Sequence, residues 1–137
     1  MCKNLWPDIK PENEDSPKGI LLKQVEYLNQ QMDEKIWGEL VLTDGINYET
    51  KKSLKNDIAG GTEDVCYKLY ITAKAKGNVR FLLVSVLQKP TETYPCHLKD
   101  EINEEEYNNI ENPTDFIEKL GTALRSEKVT TLLRNLI

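Results

Sequence analysis

The segment from Thr62 to Ala73 constrains this chain more than any other. Val65, Tyr67, Leu69, Ile71 and Ala73 fall on one parity, with Cys66, Lys68, Tyr70 and Thr72 on the other. A period of two is the signature of a strand with one face against a core, and a helix cannot satisfy it. The run Lys74-Ala75-Lys76-Gly77-Asn78 then reads as a turn leading into an antiparallel neighbour. That neighbour, Val79 to Leu87, is apolar at both parities, which predicts a central strand covered on both faces. Thr91 to Leu98 extends the meander, and Pro90 and Pro95 assign it to an edge. Upstream, Ile36 to Thr43 has strand chemistry, and Asp44-Gly45 is a strong hairpin signal because both residues tolerate positive φ. Ile46 to Thr50 is the expected return strand, followed by a loop or short helix from Lys51 to Gly61.

Helices flank this meander. Ser16-Pro17 predicts a helix start, with Ser16 as N-cap and Pro17 where a missing N–H costs nothing. Leu21, Val25, Leu28 and Met32 follow on one face. Near the C-terminus, Asn112-Pro113 or Thr114 caps a second helix, whose Phe116, Ile117, Leu120, Ala123 and Leu124 share a face. Ser126 either caps a third helix bearing Val129, Leu132, Leu133 and Leu136 or kinks one long helix. Apolar helical faces must cover a sheet, so the expectation is an α+β domain. It has an N-terminal amphipathic helix, an antiparallel meander of four to five strands, and one or two C-terminal helices packed on the sheet. Residues 1–15, with Pro7, Pro11 and no periodicity, read as a flexible arm on a single domain spanning 16–137.

At 137 residues, such a domain buries roughly two-thirds of its unfolded surface and needs neither disulfide nor metal as a staple. The formal charge of −5 and pI near 5.0 weigh against nucleic acid and anionic membranes as partners. The sequence contains no apolar run of membrane-spanning length and no leader-like segment, and its three cysteines are too few and too widely spaced for a disulfide framework. A reducing, cytoplasmic setting is expected.

Candidate sites are sparse. Asp100-Glu101-Ile102-Asn103-Glu104-Glu105-Glu106 holds five carboxylates in seven residues without an intervening cation. Lacking the central glycine of a calcium loop, it reads either as a solvated connector or as a surface for a basic protein partner. Cys96-His97 is the one place where a thiol and an imidazole are neighbours. Adjacent strand residues point to opposite faces, which argues against a nucleophile–base pair. Tyr94, Cys96 and His97 are nonetheless the best polar groups for a pocket between sheet and helices. Cys2, Cys66, Cys96 and His97 lack the short spacings of a zinc site, and Gly60-Gly61 lacks the spacing of a phosphate loop. Lys74, Lys76 and Arg80 near Tyr70 form a basic hairpin tip.

No cofactor and no arranged catalytic set follow from these residues. The expectation is a non-enzymatic cytoplasmic protein-binding module, such as a small acidic inhibitor, an immunity-type protein or an accessory protein. Its contacts are Asp100, Glu101, Glu104, Glu105 and Glu106, and an edge strand offers a route to a homodimer. The alternative is a small-molecule-binding protein or enzyme using the pocket around Tyr94, Cys96 and His97.

Overall fold

In the computed structural model, which describes residues 3–8, 14–43 and 64–137, Ser16 starts the first helix as its sequence predicts. Its Oγ accepts the Gly19 N–H at 3.0 Å, and Pro17 occupies the first turn of α1 (Pro17–Gln31). The chain then runs through β1 (Ile36–Thr43), β2 (Val65–Ala73), β3 (Val79–Gln88), β4 (Cys96–Asp100) and β5 (Glu105–Ile110). Two helices close the fold, α2 (Pro113–Leu124) and α3 (Glu127–Leu136). The five strands form one antiparallel sheet in sequence order, β1-β2-β3-β4-β5. This is the expected α+β arrangement. The Asp44-Gly45 turn and the strand predicted over 46–50 lie outside the described residues.

One core joins the layers. Ile20 and Leu21 from α1, Phe116, Leu120 and Ala123 from α2, and Leu136 from α3 are buried in one cluster with inward residues of all five strands. Asn112 caps α2, its Oδ1 accepting the Asp115 N–H at 2.8 Å. Ser126 caps α3, its Oγ accepting the Val129 N–H at 3.2 Å. The C-terminal segment is therefore two helices, an alternative the sequence left open.

Three sheet expectations need correction. First, β3 is central, but cover on both faces is not the reason for its double apolar parity. Pairing shifts between Leu69 and Tyr70, so that Leu69 faces Val84 while Tyr70 faces Leu82, and Leu83 is the extra residue of a bulge. The bulge turns both Leu83 and Val84 into the core. Phe81 and Leu83 pack inward before it, Val84 and Val86 after it, and Leu82 and Leu87 stay half-exposed.

Second, the strand predicted as an edge is not one. Pro90 and Pro95 fall in the connection ahead of β4, which pairs on both sides, with β3 and with β5.

Third, the segment read as an acidic connector contains the edge strand β5. Only Tyr107 and Ile110 of its six residues pack inward. They can share a face at a spacing of three because Asn109 takes φ +56° and bulges the strand opposite His97.

At the other end of the sheet, α1 lies against β1. The Gly38 N–H, directed away from β2, donates to Asn29 Oδ1 at 2.7 Å. A Cβ at Gly38 would lie 3.2 Å from Leu28 Cδ2, a tight contact from which the leucine side chain would have to move slightly, so glycine eases the close approach of the helix.

Candidate functional site

The acidic hairpin is built around an inward carboxylate. β4 ends at Asp100, β5 begins opposite it at Glu105, and four residues connect them. Asp100 Oδ1 accepts the N–H groups of Ile102 and Asn103 at 3.1 and 3.0 Å, while Oδ2 accepts Asn103 Nδ2–H at 2.7 Å. The same Nδ2 donates to Ser126 Oγ at 3.0 Å, tying the hairpin tip to the start of α3. Glu104 closes the turn with φ +58°, in the left-handed region.

This geometry divides the five acidic residues. Asp100 is only 2 % exposed and gives its carboxylate to the turn, so it leaves the acidic surface the sequence suggested. Glu101 is mostly covered and pairs with Lys99 at 3.2 Å. Glu104, Glu105 and Glu106 are exposed, and Glu127, in the first turn of α3, is exposed as well.

Tyr94 and Cys96 lie near one another at the core, and His97 is turned away from both. The Tyr94 hydroxyl donates to the Asp15 carbonyl at 2.6 Å, which fastens the root of α1 to the loop before β4. Burial, followed by the nearby Cys96 and Asp15 charges, raises the phenol above its ordinary range. Cys96 is fully buried inside the core. His97 is exposed on the opposite face, with Nδ1 3.1 Å from Asn108 Oδ1 and 3.4 Å from the Asn109 nitrogen. The pleat thus separates thiol from imidazole, as expected for strand neighbours.

Burial first, and the Asp115 carboxylate second, push the Cys96 thiol up from 9.0 to about 12. Near neutral pH it therefore holds about a thousandfold less thiolate than an ordinary cysteine. In a Cys2→Ser variant, maleimide modification of Cys96 is expected to be at least about a hundredfold slower than in the urea-unfolded chain. Labelling at the unfolded rate would show that the core around β4 opens freely. The same shift has a stability sign. Above 9.0 the unfolded chain loses a proton that the fold retains, so this contribution is complete below 9.0 and is lost as pH rises toward about 12.

Tyr94, Cys96 and His97 do not line either of two hollows formed by the described residues around α1. One hollow of about 200 Å³ is lined by Val25, Leu28 and Met32 of α1, Leu69 and Leu83 of the sheet, and Leu133 of α3. A second, of about 450 Å³, adjoins the root of α1 and includes Glu14, Asp15, Leu22 and Ile117. Gln24 and Tyr27 line both, so the two hollows adjoin along the flank of α1. The sequence placed Val25, Leu28 and Met32 on the apolar face of α1, but not that this half of the face borders a hollow.

The outer sheet face carries the predicted basic tip in a partly neutralised form. Arg80 lies 3.7 Å from the Tyr70 ring centroid and pairs with Glu39 at 3.3 Å, and Lys74 lies 4.8 Å from that of Trp37. Among the described residues no group of His, Cys, Asp and Glu is arranged to hold a metal, and no helix is long and apolar enough to cross a membrane. The chain matches no family model, no curated protein and no solved structure.

Proposed function

We propose that this protein is a non-enzymatic protein-binding module that acts in the cytoplasm and engages a basic partner through its β4–β5 hairpin. The observation carrying this reading is the presentation of Glu104, Glu105 and Glu106. All three are exposed on a hairpin whose base is held by the inward Asp100 carboxylate and whose tip is bonded to Ser126. Carboxylates fixed on a stiff element lose little conformational freedom on contact and attract cationic surfaces from a distance. An inhibitor, immunity-type or accessory protein would use such a surface. Nucleic acid fits less well, since the best-placed aromatic, Tyr70, lies under Arg80, which itself pairs with Glu39. The alternative is a small-molecule-binding protein or enzyme with a pocket between sheet and helices, for which Tyr94 and Cys96 lie near one another while His97 faces away.

Reversal of Glu104, Glu105 and Glu106 to lysine is expected to reduce capture of the partner from native lysate at low salt by tenfold or more, about 1.4 kcal/mol. The melting temperature should move by only a few degrees, since none of the three side chains is buried. If the protein unfolds instead, the glutamates serve the hairpin and the reading fails. It also fails if capture is unchanged.

A further inference from the structure

Among the described residues β5 ends the sheet, and the register fixes which backbone groups its outer edge offers. The Glu101 N–H donates to the Leu83 carbonyl of β3 at 2.9 Å. Successive strand residues direct their N–H and C=O groups to alternate sides, so Asp100 and Leu98 address β5. There they stand opposite Glu105 and Tyr107. The N–H and C=O groups of Glu106 and Asn108 therefore point away from β4. Asn109 agrees with this alternation, since its nitrogen turns back to within 3.4 Å of His97 Nδ1 on β4. No backbone group among the described residues bonds to the outward groups of Glu106 and Asn108, and both residues are exposed.

Charge along this edge is mostly of one sign. Glu104, Glu105 and Glu106 lie beside the open groups, Glu111 follows the strand, and all four are exposed. Lys99, opposite Glu106, is paired with Glu101, and Lys119 lies 5.6 Å from the Tyr107 ring centroid. Glu127 and Lys128, next to the hairpin tip, offset each other. With Glu101 and His97 counted as well, carboxylates still outnumber basic groups along the edge. Short length, charge and a bulge are the devices by which strand edges resist indiscriminate pairing. The carboxylates do so selectively. A neutral strand would strip water from them without return. A second β5 would bring Glu104, Glu105 and Glu106 of both copies into one short ladder, where like charges repel. The homodimer expected of an edge strand is thus opposed at β5 by its own charge. A strand bearing lysine or arginine turns the same charges into cross-strand pairs.

We infer that the outer edge of β5 takes up an extended, lysine- or arginine-bearing segment of the partner protein as an added strand. This deepens the reading of the hairpin as a surface for a basic partner, and rests on it. Backbone bonds at Glu106 and Asn108 hold the segment, and the glutamates select it by charge. The outward groups run from Glu106 to Asn108, and the bulge at Asn109 ends the regular edge, so roughly four residues of the partner are engaged. The buried Asp100 carboxylate fixes the turn that presents this edge, so the strand is in place before the partner arrives.

The probe is a synthetic peptide, Lys-Val-Lys-Val-Lys-Val-Lys. Its twin has the same sequence with the central backbone nitrogens methylated, which removes the donors of both peptide edges and keeps every charge. Both meet the unaltered full chain, so their comparison does not depend on the folding of a variant. Binding and amide hydrogen exchange are followed by NMR at peptide concentrations from about 10 µM to about 2 mM. The plain peptide is expected to slow exchange at the Glu106 and Asn108 amides. It should bind at least about tenfold more tightly than its methylated twin, through the backbone bonds the twin cannot make. Equal binding of the two peptides, lost when Glu104, Glu105 and Glu106 are reversed to lysine, overturns the inference and leaves the hairpin as a surface for basic partners. Binding that survives this reversal overturns the reading of the hairpin itself. No saturable binding of the plain peptide, or binding without protection of Glu106 and Asn108, also overturns the inference.

Discussion

Phe116→Ala is expected to cost about 3–5 kcal/mol, the range found when a fully buried aromatic ring is deleted from a core. Phe116 is 0 % exposed and heads the fully buried side chains by size. It belongs to the cluster that joins α2 to the strands and to α1, so the ring's removal leaves a void that several elements border. Urea unfolding should show a lower midpoint with an unchanged slope. The adjacent position is an internal control. Ile117 is 55 % exposed, and its truncation to alanine should change stability by less than about 0.5 kcal/mol. A loss below about 1 kcal/mol for Phe116→Ala would mean that α2 does not dock on the sheet as described.

The second large effect is expected at a charged residue. Asp100→Ala removes both carboxylate oxygens at once. It leaves the Ile102 and Asn103 N–H groups and the Asn103 side-chain amide without their acceptor. Hydrogen bonds to a charged group contribute about 1.5–3 kcal/mol each, less where the donors are only partly buried, so a total near 3 kcal/mol is expected. Asp100→Asn sharpens the assignment. Its side-chain oxygen can still accept both backbone N–H groups, while its NH2 would face the Asn103 NH2, donor against donor. Turning the Asn103 amide over relieves that clash and reverses its bond with Ser126, whose hydroxyl would then donate, but the charge on the acceptor is still lost. The asparagine variant should therefore lose about half as much as the alanine variant. Equal losses in the two would show that the negative charge, rather than the acceptor geometry, is what the turn requires. A loss under about 1 kcal/mol from Asp100→Ala would show that the hairpin does not depend on this residue.

The pattern of success and failure in reading this chain follows from the physics of each element. Local signals were legible. Ser16, Asn112 and Ser126 each cap a helix because a short polar side chain can reach an N–H three residues on, and that chemistry is written within four positions. The alternation of β2 was equally plain. What the sequence hid depends on partners far along the chain. β5 reads as Glu-Glu-Tyr-Asn-Asn-Ile, a poor strand by propensity, and it forms because Asp100 folds the turn that delivers it to β4. Its two core residues sit three apart, so no simple period reveals them without the bulge at Asn109. The double parity of β3 has the same origin, a bulge at Leu83 that no composition argument locates. The acidic run could be seen as acidic, but not that two of its five carboxylates serve the fold. The hollows along α1 were hidden for a related reason, because an apolar helical stripe looks the same whether it is sealed or open.

The bond between Asn29 and Gly38 reaches beyond the docking of α1. Among the described residues β1 is a terminal strand, and an outward-facing N–H there is a place where a foreign strand can be templated. Here that group is already taken, and its occupant belongs to a helix that the sheet holds through only part of its apolar face. Release of α1 frees the N–H and uncovers Ile20, Leu21 and Ile36 together, while the other four strands stay paired. A near-native form with α1 lifted would thus present an open strand edge beside uncovered core residues. Resistance to fibril formation in this protein should therefore follow the free energy of that local opening and can vary while the global unfolding transition stays fixed.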